Sequence, residues 1–151
     1  MKMNVLIIED NAVMSELIRE GLTIANGFSF DSSETLSSGL FKATRHEYDI
    51  VLLDLNLPDS KGVDTLVRFR KATGNSIPVI VVTGEEDLKT LISVQRKGAS
   101  DVFTKTKLRW DELSKSLHDV VRIHRSPKIF REAKTQLNEA FTTLRMGVVH
   151  G

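Results

Sequence analysis

The sequence predicts an α/β protein with a doubly wound, five-stranded parallel sheet. Two observations carry that prediction. Five short apolar runs alternate with five segments of helical spacing, as in repeated strand-helix-strand units. The third run, Ile50-Val51-Leu52-Leu53, has no polar alternation, which suits a parallel strand covered on both faces. With 151 residues, the chain can bury such a core as one domain with a short appendage.

Val5 to Ile8, Phe28 to Phe30, Ile50 to Leu53, Val79 to Val82 and Val102 to Phe103 read as the strands, most of them bounded by Asp, Gly or Pro. Between them, Met14, Leu17, Ile18 and Leu22 recur at helical spacing, then Leu36, Leu40 and Ala43, and Val63, Leu66 and Val67. Leu88, Leu91, Ile92 and Gln95 form a weaker fourth stripe, and Leu113, Leu117, Val120 and His124 a fifth. Right-handed crossovers then place helices on both faces of the sheet.

At Ser126-Pro127 the pattern changes, because Ser favours a helix N-cap and Pro the first helical position. Phe130, Ala133, Leu137, Ala140, Phe141 and Leu144 follow a three-four spacing up to Gly147, a candidate C-terminal cap. The expected division is a domain over 1–125 and a C-terminal amphipathic helix or linker over 126–151.

Composition narrows the function without naming it. The chain has no cysteine, which excludes disulfides and thiolate-metal sites. The net charge of +1 balances 21 basic against 20 acidic side chains, so no bulk charge points to nucleic acid or membrane. The first apolar run is too short for a signal peptide core or a membrane span, which places the expected protein in the cytoplasm.

Open parallel sheets carry their sites at the carboxyl ends of the strands. There the first strand runs into Glu9-Asp10, the third into Asp54, the fourth into Thr83 and the fifth, after Thr104, into Lys105. The second strand ends in Asp31, expected outboard of the first and outside the site. Carboxylates without His or Cys suit a hard cation, Mg²⁺ in a cell. A carboxylate beside such an ion can attack phosphorus to give an acyl phosphate. The cation, a lysine and a threonine hydroxyl would then offset charge on the transferring oxygens.

Ile7-Ile8-Glu9-Asp10-Asn11, Val51-Leu52-Leu53-Asp54-Leu55-Asn56-Leu57-Pro58-Asp59, Val81-Val82-Thr83-Gly84 and Phe103-Thr104-Lys105 resemble the motifs of two-component response regulator receiver domains, in that family's order and intervals. The resemblance covers roughly residues 3 to 125 and implies a flavodoxin-like sheet of order 2-1-3-4-5. It also implies phosphoryl transfer from a phosphohistidine on a sensor histidine kinase or phosphotransfer protein to Asp54, with self-catalysed phosphorylation and dephosphorylation rather than enzymatic turnover. By the same resemblance Asp10 and Asp54 bind Mg²⁺, Glu9 acts directly or through water, and the Asn56 backbone carbonyl supplies a ligand. Thr83 and Lys105 would contact the phosphoryl group, and Gly62 would need a positive φ. Asn56 and Glu85 stand at the two positions that tune acyl-phosphate lifetime, in a pairing similar to that of the short-lived chemotaxis regulators.

Two residues depart from the family pattern. Val102 stands where the family has an aromatic switch residue, and Phe103, one place along the strand, points to the other face. Thr106 replaces the usual proline after the lysine, and a trans or strained link is expected because a non-proline cis bond costs about 2.5–4 kcal/mol.

Other residues read as structural. His46, His118, His124 and His150 are scattered, Trp110 reads as a packing anchor, and Asp59 and Asp87 as turn or cap residues. Arg122, Arg125, Lys128 and Arg131 read as a solvated basic face. The expected output is a contact with a downstream protein or fused module, with a homodimer possible, no direct nucleic-acid contact and no membrane. The stretch from Thr83 to Leu108 resembles receivers joined to kinase or cyclic-dinucleotide modules more than those joined to DNA-binding domains. The rivals are a phosphorylation-independent docking module and a Mg²⁺-dependent aspartyl-phosphate phosphohydrolase. Glu9-Asp10-Asn11 lacks the Asp-x-Asp pattern of one large class of such hydrolases.

Overall fold

The computed structural model describes residues 2–24 and 27–126. Among the described residues the chain runs β1 (Met3–Ile8), α1 (Ala12–Thr23), β2 (Phe28–Ser33), α2 (Leu36–Arg45), β3 (Ile50–Leu53), α3 (Val63–Thr73), β4 (Val79–Thr83), α4 (Leu88–Arg96), β5 (Asp101–Thr104) and α5 (Trp110–His124), with a 3₁₀ turn at Lys105–Lys107. All strand pairings are parallel and the sheet order is β2-β1-β3-β4-β5, as expected. The proposed helix after Ser126 lies outside the described residues.

Strand alternation sorts the helices into two layers. Leu6, Ile8, Val51, Leu53, Val79 and Val81 face α2, α3 and α4, where Leu36, Leu66, Phe69, Leu91 and Val94 close the core. Val5, Ile7, Ile50, Leu52, Ile80 and Val82 face α1 and α5 through Ile18, Leu22, Leu113, Leu117 and Val120. The three central strands β1, β3 and β4 are apolar and buried on both faces for most of their length, the reason their sequences lack alternation.

Several details correct the sequence reading. β2 pairs with β1 as far as Ser33 opposite Ile8, so Asp31 lies within the strand rather than at its end. There it accepts the Tyr48 hydroxyl at 2.7 Å. Leu17 and Leu88 are not core residues but are 46% and 44% exposed. Phe69, absent from the sequence stripe, is fully buried. His124 lies outside the α5 core and places Nε2 3.3 Å from the Ser76 carbonyl.

The cap assignments hold. Asp87 caps α4, its carboxylate accepting Thr90 N–H at 3.3 Å. Asp59 caps α2 from the β3–α3 loop, accepting Leu36 and Ser37 N–H, each at 2.9 Å. Slight burial opposes ionisation of Asp59, but those two N–H donors outweigh it and hold its pKa below the ordinary value of 3.8. A depressed carboxylate stabilises the fold above its unfolded pKa and loses that contribution as pH falls through the folded value. The stability gap between wild type and Asp59→Ala, followed by urea denaturation, is therefore expected at neutral pH and to close below the ordinary carboxylate range.

Candidate functional site

The carboxyl edge of the sheet collects the expected groups. Glu9 and Asp10 follow β1, and Asp54 follows β3; Glu9 and Asp54 are buried and Asp10 is exposed. One carboxylate oxygen from each of the three lies within 4.8 Å of the other two. From the far side, Lys105 reaches in off β5, pairing with Glu9 and standing 3.2 Å from Asp54 Oδ2. Thr83, the last residue of β4, is fully buried, and its Oγ1 accepts Glu85 N–H at 3.2 Å. That bond occupies a lone pair and leaves the hydroxyl proton to donate elsewhere.

Local turns hold these side chains. Asn11 caps α1 by accepting Met14 N–H at 3.0 Å, while its own N–H donates to Glu9 Oε2 at 3.3 Å. The Asn56 N–H donates to Asp54 Oδ1 at 3.3 Å, and its side-chain oxygen accepts Gly62 N–H at 3.3 Å. Gly62 has φ of 67°, the left-handed conformation expected of it, which lets the loop turn into α3. Asp31, as expected, lies on the outer strand away from this cluster.

The charge balance of the site is uneven. Burial is the main reason the Glu9 carboxyl is pushed up to about 7, with Asp54 adding to the rise and Lys105 opposing it. Burial alone would lower the Lys105 ammonium, but the hydrogen bond to Glu9 and the charge of Asp54 leave it raised. A raised carboxyl favours the fold at low pH and loses that contribution as pH climbs from 4.5 through about 7. Three acidic groups facing one ammonium would be better matched with a divalent cation, and an all-oxygen donor set fits Mg²⁺. Asp10→Asn is expected to stabilise the cation-free protein at neutral pH and low salt by on the order of 1 kcal/mol. In excess Mg²⁺ the ranking should reverse, with wild type the more stable in urea titrations.

The two departures also have structural counterparts. Val102 is buried with Leu66, Leu91 and Val94, while Phe103 lies in the opposite layer with Leu113 and Leu117. No cis peptide occurs among the described residues, so the Lys105–Thr106 link is trans. The Thr106 hydroxyl hydrogen-bonds the Glu86 carboxylate, tying the β4–α4 loop to the 3₁₀ turn. That bond was not legible in the sequence, since its partners are twenty residues apart with no pattern linking them. Trp110 is a packing anchor as expected: its ring sits where a Cβ on Gly21 would fall.

A 2-1-3-4-5 parallel sheet with this acidic edge defines the CheY-like class of doubly wound domains. The chain belongs to the response regulator receiver domain family of two-component signalling, whose model matches residues 5–118. The cell cycle transcriptional regulator CtrA of Caulobacter vibrioides is 34% identical over 120 residues, 80% of this chain and 51% of that protein. The transcriptional activator protein IrlR of Burkholderia pseudomallei is 37% identical over 103 residues, 68% of this chain and 44% of that protein. The chain thus spans about half the length of the curated relatives it matches. Both are transcriptional regulators, so the expected leaning towards kinase-linked or cyclic-dinucleotide-linked receivers gains no support from them.

Solved structures share the fold. A CheY-like receiver domain protein from Methanospirillum hungatei superposes with a TM-score of 0.72 at 21% identity, over 82% of this chain and 97% of that one. A sensor protein from Polaromonas sp. superposes with a TM-score of 0.68 at 25% identity, over 82% and 99% respectively. No helix among the described residues is long and apolar enough to cross a membrane.

Proposed function

We propose that this chain accepts a phosphoryl group on Asp54 from a phosphohistidine donor and passes the signal on through a protein contact. The observation that carries this reading is the meeting of Glu9, Asp10, Asp54 and Lys105 at one sheet edge, with the buried Thr83 at the end of β4. In the transfer an Asp54 oxygen attacks phosphorus, an O–P bond forms and the P–N bond of the donor breaks. The electron pair returns to the imidazole nitrogen, which takes up a proton. Thr83 donates its hydroxyl to one phosphoryl oxygen and Lys105 shifts its ammonium from the carboxylates towards another. Glu9, Asp10, Asp54 and the Asn56 carbonyl are the residues to hold Mg²⁺, which supplies charge neutralisation on the phosphoryl oxygens when bound.

Loss of the signal is hydrolytic: water attacks phosphorus, the O–P bond to Asp54 breaks, and inorganic phosphate leaves. Asn56 is exposed and Glu85 half-buried at the site rim. Neither closes the site with a bulky apolar group, which supports a lifetime nearer a minute than hours. The decay of radiolabelled acyl phosphate in Mg²⁺ measures this directly, and survival for hours would contradict it.

The reading is tested by calorimetric titration of beryllofluoride, a phosphoryl mimic, in Mg²⁺. Saturable binding that disappears when Mg²⁺ is chelated supports the phospho-acceptor. Absence of binding by the folded wild type would instead favour a docking module that has outlived its chemistry.

A further inference from the structure

The residue that follows Lys105 is tied to the loop that follows Thr83. Thr106, in the 3₁₀ turn Lys105–Lys107, donates its hydroxyl to the Glu86 carboxylate. That turn has no side-chain cap among the described residues, and one 3₁₀ turn is a weakly bonded unit, so an anchor from another segment has much to add to it. What the anchor steadies is the backbone of Lys105, whose ammonium pairs with Glu9 and stands 3.2 Å from Asp54 Oδ2.

The other end of the tie is bonded step by step, back to the site and on to α4. Glu85 N–H donates to Thr83 Oγ1 at 3.2 Å, and the Glu85 carboxylate accepts Asp87 N–H at 3.0 Å. Asp87 in turn accepts Thr90 N–H at 3.3 Å and the Thr90 hydroxyl at 2.9 Å, in the first turn of α4. Thr83 and Lys105, the two groups assigned to the phosphoryl oxygens, are therefore joined outside the site through Glu85, Glu86 and Thr106. The same loop carries the start of α4. Val102 offers no second route. It is buried in the layer that holds Leu91 and Val94 of α4, and its short β-branched side chain has no arm to move between core and surface.

We propose that Thr106, held by Glu86, is a positioning residue: it sets Lys105 for phosphoryl transfer and joins the Lys105 turn to the β4–α4 loop, so that occupation of Asp54 is felt at α4. This role rests on the phospho-acceptor reading and supplies that reading with a path to the surface. When Lys105 leaves the carboxylates for a phosphoryl oxygen, its turn moves with it and Glu86 carries the movement into the loop. Thr83, turning to another oxygen, moves the same loop through Glu85. A looser turn would also let the Lys105 ammonium wander, and small misplacements of a charge-stabilising group slow a transfer step.

The test uses the full-length protein with Mg²⁺ and acetyl phosphate, reading the initial rate of radiolabel uptake. Thr106→Val and Glu86→Ala are each expected to slow uptake about three- to tenfold, the loss that one hydrogen bond accounts for. The double variant should be no slower than either single one, because both remove the same bond. Thr106→Ser keeps the hydroxyl and should restore the wild-type rate, which a purely steric role for the side chain would not predict. Both residues are exposed, and a thermal melt checks that each variant folds. In amide NMR, saturating beryllofluoride with Mg²⁺ should shift Leu88–Arg96 in wild type and in Thr106→Ser, and only weakly in Thr106→Val. Wild-type uptake or full-sized α4 shifts in Thr106→Val would overturn the role, as would losses that multiply in the double variant. A wild type that takes up neither acetyl phosphate nor beryllofluoride would overturn the phospho-acceptor reading itself, and this role with it.

Discussion

Asp54→Asn is expected to remove phosphoryl uptake while leaving the fold intact. The amide oxygen is a poor nucleophile and no acyl phosphate can form on it, so incorporation from a small phosphodonor such as acetyl phosphate should fall by more than about a thousandfold. The substitution keeps the side-chain shape, and Asn56 N–H can still donate to the remaining carbonyl oxygen as it does to Asp54 Oδ1 at 3.3 Å. Lys105 keeps Glu9 as its partner. Radiolabel incorporation measures the effect, and a circular dichroism melt checks that the fold survives. Undiminished labelling would move the acceptor to another carboxylate, and Asp10 would be the first to try.

The largest expected effect on stability comes from Phe69→Ala. Phe69 is fully buried on α3 in the layer that holds Leu66, Ile77, Leu91 and Val94. Removing a buried ring costs its transfer free energy and leaves a cavity that the surrounding side chains fill only in part, together about 3–5 kcal/mol. For a domain of this size that is a large share of the total. Urea denaturation should show the loss as a lower midpoint with an unchanged slope. A cost below about 1 kcal/mol would mean that α3 settles into the space, as some sites can.

Phe69 also shows where sequence reading falls short. Val63, Leu66 and Val67 suggested a stripe, yet the buried set on α3 is Thr65, Leu66 and Phe69. Thr65 belongs inside because its hydroxyl donates to the Leu55 carbonyl at 2.7 Å, and periodicity read from hydrophobicity alone cannot see a polar side chain satisfied in this way. Leu17 and Leu88 failed in the opposite sense: both sit at helical spacing, but their helices meet neighbours on one side only, and these two leucines fall on the other.

The carboxyl-edge residues were legible for a simple reason. Glu9, Asp10, Asp54, Thr83 and Lys105 could be assigned to the carboxyl ends of their strands from their positions after apolar runs, and the order 2-1-3-4-5 implied by the resemblance to receiver domains made those ends neighbours. The sequence by itself thus determined the fold class, the five strands and the groups at their carboxyl edge, because these follow from periodicity and connectivity. Only the tertiary structure decided which face each helix buries, that Asp59 caps α2 and that Thr106 joins Glu86. It also decided that Glu9 sits buried enough for its carboxyl to be pushed up to about 7. Those outcomes depend on distances between residues far apart in the chain, and burial and electrostatics act through such distances rather than through sequence spacing.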